Sequence, residues 1–152
     1  MRATGSFRTA TRWRSFSAAV VAAWMAACMV STTKFYVPAS GQPRLSLDQL
    51  RTRAGALLSV ECPRLLAGRP SAFGETDLTV DVDGDGSVLR AHVDRSSGDP
   101  RIDDIFGALA AQLQLDRSSS SNSRGRATHQ RIGIGYSCSA TEAEVTVRLN
   151  PK

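Results

Sequence analysis

The sequence has few of the side chains from which metal centres and catalytic sites are built. It contains two histidines and three cysteines in 152 residues, and their spacing matches no zinc-binding motif. His92 and His129 have no partner that the sequence reveals. Ser96 and Ser97 lie in a turn and Ser118 to Ser121 in a polar run, where serines usually bond the local backbone. We therefore predict neither an enzyme nor a bound metal or cofactor.

Aromatic residues are also scarce, at 6% of the chain, and no basic stripe alternates with them. The formal net charge of +5 is unevenly placed, because four arginines within residues 1–14 precede every acidic residue. The other 15 basic residues nearly balance the 14 acidic residues. The excess positive charge thus belongs to the N-terminal arm, which argues against nucleic-acid binding.

One long uncharged run is present, "SFSAAVVAAWMAACMVSTT", from Ser15 to Thr33. It follows the arginines and ends before Lys34, which is the order of charged and apolar regions in a targeting segment. Its 19 residues just suffice to span a bilayer, and the arginines would keep the N-terminus in the cytoplasm. Residues 1–30 are therefore predicted to be a signal sequence or membrane anchor, with the rest of the chain facing the periplasm.

Two forms of this segment remain open. The stretch "MAAC", Met25 to Cys28, resembles a bacterial lipobox, in which small residues precede a cysteine that receives lipid after cleavage. Methionine stands here where leucine is usual. The alternative is an uncleaved transmembrane anchor, and a cleaved soluble form is a third reading. Cys28 is accordingly a candidate lipidation site.

Export would place the two remaining cysteines, Cys62 and Cys138, in an oxidising compartment where they can pair. We predict a disulfide between them. The alternative is two unrelated buried thiols, because one sequence does not reveal connectivity.

The rest of the chain divides into a tether and one domain. Residues 31–44 carry two prolines and a glycine without periodicity, which is typical of a tether. Residues 45–152 then read as helix, two strands, helix and two strands. The first helix opens with a capping box at Ser46 and is expected to end at Pro63. This order predicts an α+β domain with a small, mostly antiparallel sheet and a helix packed on one face.

The stretch "DVDGDGSV", Asp81 to Val88, has two interpretations. Its alternating aspartates fit the start of a calcium loop, but the twelfth position is His92 instead of glutamate and both flanks are strand-like. A β-hairpin with Asp85 and Gly86 at the centre of a two-residue turn explains the same residues. This hairpin also places Asp81 opposite Arg90.

Residues Asp85 to Asp103, "DGSVLRAHVDRSSGDPRID", resemble the TonB C-terminal domain, which is found at the end of energy transducers. The shared features are the aspartate–glycine turn, the alternating strand, a Ser-Ser-Gly stretch and a helix that opens with Pro-x-Leu-Asp in the family and with Pro-x-Ile-Asp here. The wider match runs from Leu78 to Leu115. The family also has an inward-facing apolar residue at Val88, which the two-residue turn allows only with a β-bulge.

The resemblance implies a protein-binding module in the cell envelope, linked to energy-coupled transport. Its partner would be an outer-membrane receptor or the proteins of a proton-driven motor. The family's Tyr-Pro and Trp-x-Phe-x-Pro motifs are absent, and a tether of 14 residues spans at most about 50 Å. A stand-alone module is therefore favoured over a full transducer. A calcium-stabilised or purely structural envelope protein is the alternative.

The final strand, "EAEVTVRL", is predicted to lie at an open edge of the sheet, because it follows a short hairpin near the C-terminus. A partner segment could add there as a further strand. The candidate binding residues are Glu144, Val145, Thr146, Val147 and Arg148.

Overall fold

The computed structural model describes residues 34–116 and 128–150. These ranges form β1 (Phe35–Tyr36), α1 (Leu47–Leu66), β2 (Ser71–Val82), β3 (Val88–Arg95), α2 (Pro100–Ala110), β4 (Thr128–Ser139) and β5 (Ala143–Asn150). Cys28, the predicted membrane segment and most of the serine-rich run lie outside the described residues. In the described ranges, no helix is long and apolar enough to cross a membrane.

The strands form one antiparallel sheet in the order β1-β3-β2-β4-β5. The central pair is long, because β2 and β4 stay in register from Ser71 opposite Ser139 to Val82 opposite Thr128. Strand alternation sends Val80 and Ile134 to one face, where both are fully buried. Helix α1 packs mainly on β5 and β4, and α2 packs on β3 and β2. The predicted α+β class is confirmed.

The core lies between these helices and the inner face of the sheet. Phe106 of α2 is fully buried, and its ring meets Tyr136 of β4 edge-on with the ring centroids 6.2 Å apart. Leu50 and Leu58 of α1 are equally buried. Burying one side chain of this size contributes roughly 1.5–3 kcal/mol to the stability of the fold. The apolar stripes of the two helices therefore stabilise their packing on the sheet.

Helix α1 begins as its sequence predicts, but it ends later. Ser46 Oγ accepts a hydrogen bond from the Gln49 N–H at 3.3 Å, and Gln49 Oε1 accepts one from the Ser46 N–H at 3.0 Å. The prediction that Pro63 ends the helix is wrong, since the helix continues to Leu66. Leu65 and Leu66 pack against the core, which favours one further turn despite the proline.

The predicted tether contributes a strand, so the order α-β-β-α-β-β was incomplete. In β1, Phe35 pairs with His92 and Tyr36 with Ala91. The Tyr36 hydroxyl donates to Asp104 of α2 at 2.7 Å, and Lys34 forms an ion pair with the same carboxylate. Contacts with α2 thus hold this segment beside β3, although its sequence has no strand pattern. The folded unit therefore begins before residue 45.

The hairpin between β2 and β3 follows the predicted register away from its turn. Val80 pairs with Ala91 and Asp81 with Arg90, but Val82 pairs with Val88. The shift is a bulge that turns Leu89 outward and leaves Val88 fully buried. The structure thus contains both the inward-facing Val88 and the β-bulge that this orientation requires.

The turn itself differs from the two-residue turn expected from Asp85 and Gly86. Asp83 N–H donates to the Ser87 carbonyl at 3.0 Å and Gly86 N–H to the Asp83 carbonyl at 3.1 Å, which gives a three-residue loop. Gly86 has a φ of +93°. Its carbonyl accepts from the Leu115 N–H at 2.8 Å, and a side chain at Gly86 would collide with the Leu115 backbone. Contact with the segment after α2 therefore selects the longer loop.

Candidate functional site

Strand β5 lies at one end of the sheet and, within the described residues, pairs only with β4. The prediction that the last strand is an edge strand is thus confirmed, and the edge is eight residues long. A strand in this position presents backbone N–H and C=O groups that a further strand can use.

The β4–β5 turn identifies which backbone groups face the open side. Ser139 N–H donates to the Glu142 carbonyl at 2.8 Å, so residues 139 and 142 form a hydrogen-bonded pair. Hydrogen-bonded and non-hydrogen-bonded pairs alternate in an antiparallel ladder. Glu144, Thr146 and Arg148 therefore bond to β4. The N–H and C=O groups of Val145 and Val147 point away from β4, toward the open edge.

The side chains of β5 are divided between the two faces of the sheet. On the inner face Val145 is 5% exposed, and Ala143, Val147 and Leu149 pack partly buried against the core. On the outer face Glu144, Thr146 and Arg148 are exposed. An added strand would meet an apolar row on one face and a polar row on the other.

An open groove of about 750 Å³ lies on the outer face beside this edge. Its lining includes Gly135 in β4, the three outward residues of β5, and Phe73 in β2, whose side chain is 81% exposed. A Cβ atom at Gly135 would lie 2.7 Å from Thr146 Oγ1, so the missing side chain is what lets Thr146 lean across β4. Two glycines alternate in "GIG" (residues 133–135), a signal that the sequence analysis did not use.

Charged side chains cross the groove in one connected set. Arg148 forms an ion pair with Glu75, Arg95 lies 3.4 Å from the other oxygen of that carboxylate, and Arg95 also lies 2.9 Å from Asp77. Glu144, by contrast, makes no ion pair within the described ranges. The carboxylate at one end of β5 is therefore available to a partner, while the guanidinium at the other end is already partly neutralised.

A disulfide anchors the turn end of the β4–β5 hairpin, and the predicted bond between Cys62 and Cys138 is confirmed. Cys62, in the last turns of α1, bonds to Cys138 at the end of β4 with an S–S distance of 2.04 Å and a Cα–Cα distance of 5.6 Å. Both residues are buried, and Cys138 pairs directly with Ala143, the first residue of β5. The bond therefore positions the start of the edge strand against α1.

The "SSGDPRID" stretch forms a capping cluster at the start of α2. Asp99 accepts hydrogen bonds from the N–H groups of Arg101 and Ile102 at 3.0 and 3.2 Å, and Arg64 of α1 binds its two oxygens at 2.7 and 2.9 Å. The Arg64 hydrogen bonds, more than the helix N–H groups, lower the pKa of Asp99. This carboxylate joins the two helices.

Asp103 and Asp104, near the start of α2, have specific partners. Asp103 is buried and accepts hydrogen bonds from Thr76 at 2.8 Å, from the Ser97 N–H at 2.9 Å and from Ser96. The ion pair with Lys34, and then the hydrogen bond from Tyr36, lower the pKa of Asp104. Both side chains are structural contacts in this arrangement.

The three aspartates of "DVDGDG" are engaged in the hairpin. Asp81 bonds to Arg90 and, at 2.5 Å, to His129 of β4. Burial raises the pKa of Asp81, but hydrogen bonds from Arg90 and His129 outweigh it, and the net shift is downward. The Asp83 carboxylate accepts the N–H groups of Asp85 and Ser87, both at 3.0 Å. The flanking elements are strands, unlike the helices of a helix–loop–helix calcium site.

Across the described residues, no three His, Cys, Asp or Glu side chains are grouped so that they could hold a metal ion. Comparison of the chain with protein-family models, with curated proteins and with solved structures found no match. The geometry of the β5 edge and its groove therefore carries the functional argument.

Proposed function

We propose that the protein is a membrane-anchored module of the bacterial cell envelope that binds an extended segment of a partner protein by strand addition to β5. The observation that carries the proposal is the set of backbone groups of Val145 and Val147, which face the open edge. A strand laid beside β5 would form main-chain hydrogen bonds with these groups, as adjacent strands in a sheet do.

The two faces of β5 set the chemistry of the partner segment. On the inner face, its apolar residues would extend the row that Val145, Val147 and Leu149 form. On the outer face, its polar residues would lie beside Glu144, Thr146 and Arg148, with the groove and Phe73 within reach of a long side chain. The preferred segment thus alternates apolar and polar residues.

Membrane attachment is proposed from the N-terminal segment. The uncharged run from Ser15 to Thr33 would hold the chain at a membrane, as a lipoprotein attached through Cys28 or as an uncleaved transmembrane helix. The domain would face the periplasm. The resemblance to the TonB C-terminal domain supports a role beside energy-coupled transport, with a receptor or motor protein as the partner.

A proline at Val147 tests the site. Val147→Pro removes an N–H group that points away from β4, so the β4–β5 ladder keeps its hydrogen bonds. The probe is an array of eight-residue peptides with alternating apolar and polar residues. Peptides that bind the wild-type chain should bind Val147→Pro at least about tenfold more weakly, because one hydrogen bond and close strand approach are lost.

The matched control is Val147→Thr, which keeps the N–H group and a side chain of similar shape. It should bind the same peptides within about threefold of the wild type, because the backbone donor is unchanged. If a folded Val147→Pro chain binds as well as Val147→Thr does, the contact lies elsewhere and strand addition at β5 is wrong.

A further inference from the structure

The outward side chains of β5 form a self-complementary pattern. Glu144 and Arg148 lie two residues to either side of Thr146, and all three are exposed on the same face. When a strand pairs antiparallel with a second copy of itself about a two-fold axis, each residue meets the one equally far from the axis. With Thr146 on the axis, Glu144 faces Arg148 of the second copy, and the reverse pair forms as well.

We infer that β5 pairs with β5 of a second copy of this chain, centred on Thr146, to join two sheets edge to edge. The inference rests on the open edge that the proposed function also uses. It goes further by naming a second copy as an occupant of that edge.

The backbone geometry permits this register. Thr146 bonds to β4, so across the open edge it forms the non-hydrogen-bonded kind of pair, with Cα atoms about 4.5 Å apart. Val145 and Val147 would exchange the hydrogen bonds with the other copy. Registers shifted by one residue would put apolar side chains opposite polar ones. Such registers are disfavoured because one face of β5 packs on the core and the other is exposed. Of the remaining registers, only the one centred on Thr146 brings Glu144 opposite Arg148.

Side chains favour the pairing on both faces. On the outer face, Glu144 has no ion-pair partner within its own described chain, and Arg148 retains an exposed side chain beside Glu75. Opposite charges directly across two strands stabilise a sheet, whereas like charges destabilise it. On the inner face, Val145 would face Val147 of the second copy, and Ala143 would face Leu149. The pairing would cover apolar surface that is only partly buried in one chain.

Self-pairing and capture of a partner segment exclude each other, since both use the same backbone groups. The paired state would therefore be a resting form, from which a partner strand must displace the second copy. Because the outer-face contacts are ion pairs, their contribution falls as ionic strength rises.

Cysteine cross-linking of the full chain in detergent tests the register. Thr146→Cys places two thiols across a non-hydrogen-bonded pair, at a Cα separation that suits a disulfide. Glu144→Cys is the matched control on the same face, but its two copies would lie roughly 13 Å apart along the strand. We expect at least about fivefold more covalent dimer for Thr146→Cys, since only that position pairs with itself. Wild-type chain measures any background from Cys28.

Charge reversal tests the contacts in the Thr146→Cys chain. Glu144→Arg should weaken dimerisation at least about tenfold, because it makes two like-charge pairs. Arg148→Glu should do the same, and an equimolar mixture of the two variants should restore cross-linking, since every facing pair is then of opposite charge. If Arg148→Glu fails to fold because of its new contact with Glu75, the Glu144→Arg variant by itself tests whether like charges weaken the dimer.

Equal cross-linking of Thr146→Cys and Glu144→Cys, or undiminished dimerisation of Glu144→Arg, would overturn the inference. The proposed function stands if peptides still lose binding to Val147→Pro in that case. Conversely, specific cross-linking at Thr146 together with full peptide binding by Val147→Pro would support the dimer and contradict strand capture.

Discussion

The two edge strands of the sheet, β1 and β5, differ in length. At one edge β1 has two residues and covers only Ala91 and His92 of β3. At the other edge β5 has eight residues and, in the described part of the chain, no further strand beside it. Short edges resist unwanted pairing, whereas long ones invite it. The chain therefore covers a short part of one edge with β1, whereas within the described residues the whole length of β5 has no strand on its outer side.

Side chains explain why so short a strand as β1 stays in place. Tyr36 and Lys34 both bind Asp104, and the Phe35 ring lies 5.5 Å from the His92 ring and 5.3 Å from the Arg90 guanidinium. Two backbone pairs alone would not hold a strand. Strand β5 instead depends on its ladder to β4, its apolar inner row and the disulfide at Cys138, opposite its first residue.

The largest effect is expected from removing that disulfide. A double variant, Cys62→Ser with Cys138→Ser, should lower the free energy of unfolding by roughly 4 kcal/mol. The reason is that the bond joins residues 76 positions apart, and without it the unfolded chain regains the entropy that the closed loop had removed. Urea unfolding followed by circular dichroism measures the change. Amide exchange should rise most in β5, which starts opposite Cys138, and least in β1.

Cys28→Ser is the control for this prediction, since Cys28 takes no part in the bond, and its unfolding midpoint should match the wild type. A double variant as stable as the wild type, or one in which β1 loses protection first, would show that the disulfide does not support the β5 edge.

A smaller effect is expected at the β1 edge from Gly107→Ala. Gly107 of α2 touches the Tyr36 ring, and a Cβ atom there would overlap it. Displacing a packed ring costs about 1–3 kcal/mol, so thermal unfolding should show a lower midpoint and amide exchange at Ala91 and His92 should accelerate. Peptide binding at β5 should not change.

Gly55→Ala in α1 is the matched control for Gly107→Ala. Apart from the adjoining residues and the nearby backbone of α1, no atom lies within 4 Å of the added Cβ atom, and a helix interior favours alanine over glycine by about 0.5–1 kcal/mol. This variant should be as stable as the wild type or more so. Equal effects of the two substitutions would mean that Tyr36 does not hold β1.

The smallest effect is expected from Asp104→Asn, and it depends on pH. Lys34 and Tyr36 lower the pKa of Asp104 in the folded state, so the folded chain binds its proton less readily than the unfolded chain. The contribution to stability is present above the unfolded pKa of about 3.9 and is lost as pH falls through the lower folded pKa.

Since the Asp104 side chain is 48% exposed, Asp104→Asn should change stability at pH 7 by less than about 1 kcal/mol. The difference between variant and wild type, followed by thermal unfolding, should shrink as pH falls from neutral to about 3, below the unfolded pKa. A difference that stays constant over this range would mean that the ion pair at β1 contributes nothing.

Much of the fold follows from local patterns. The capping box at Ser46, the Asp99–Pro100 start of α2 and the alternation of β2 through β5 each place an element in the structure. The disulfide could be expected from the number of cysteines and the proposed compartment. The edge position of β5 follows from a short hairpin near the C-terminus. These features need only neighbours in the chain or a count of residues.

Features that depend on distant contacts could not be predicted in this way. Strand β1 has two residues and no alternation, and Asp104 from another part of the chain holds it. Helix α1 continues past Pro63 because Leu65 and Leu66 find the core. The groove beside β5 requires Gly135 of β4 and Thr146 of β5 to meet, which neither strand reveals alone.

Side-chain periodicity alone predicts the class of the domain, the register of the β2–β3 hairpin away from its turn and the division of β5 into an apolar and a polar face, because each of these features is local. The three-residue loop at Gly86 depends instead on tertiary packing, since the Leu115 backbone packs against it. Tertiary packing also places β1 beside β3 and, in the described part of the chain, leaves β5 with no strand on its outer side. A strand's free hydrogen-bonding groups are defined by what lies beside it, and that depends on contacts between residues far apart in the chain.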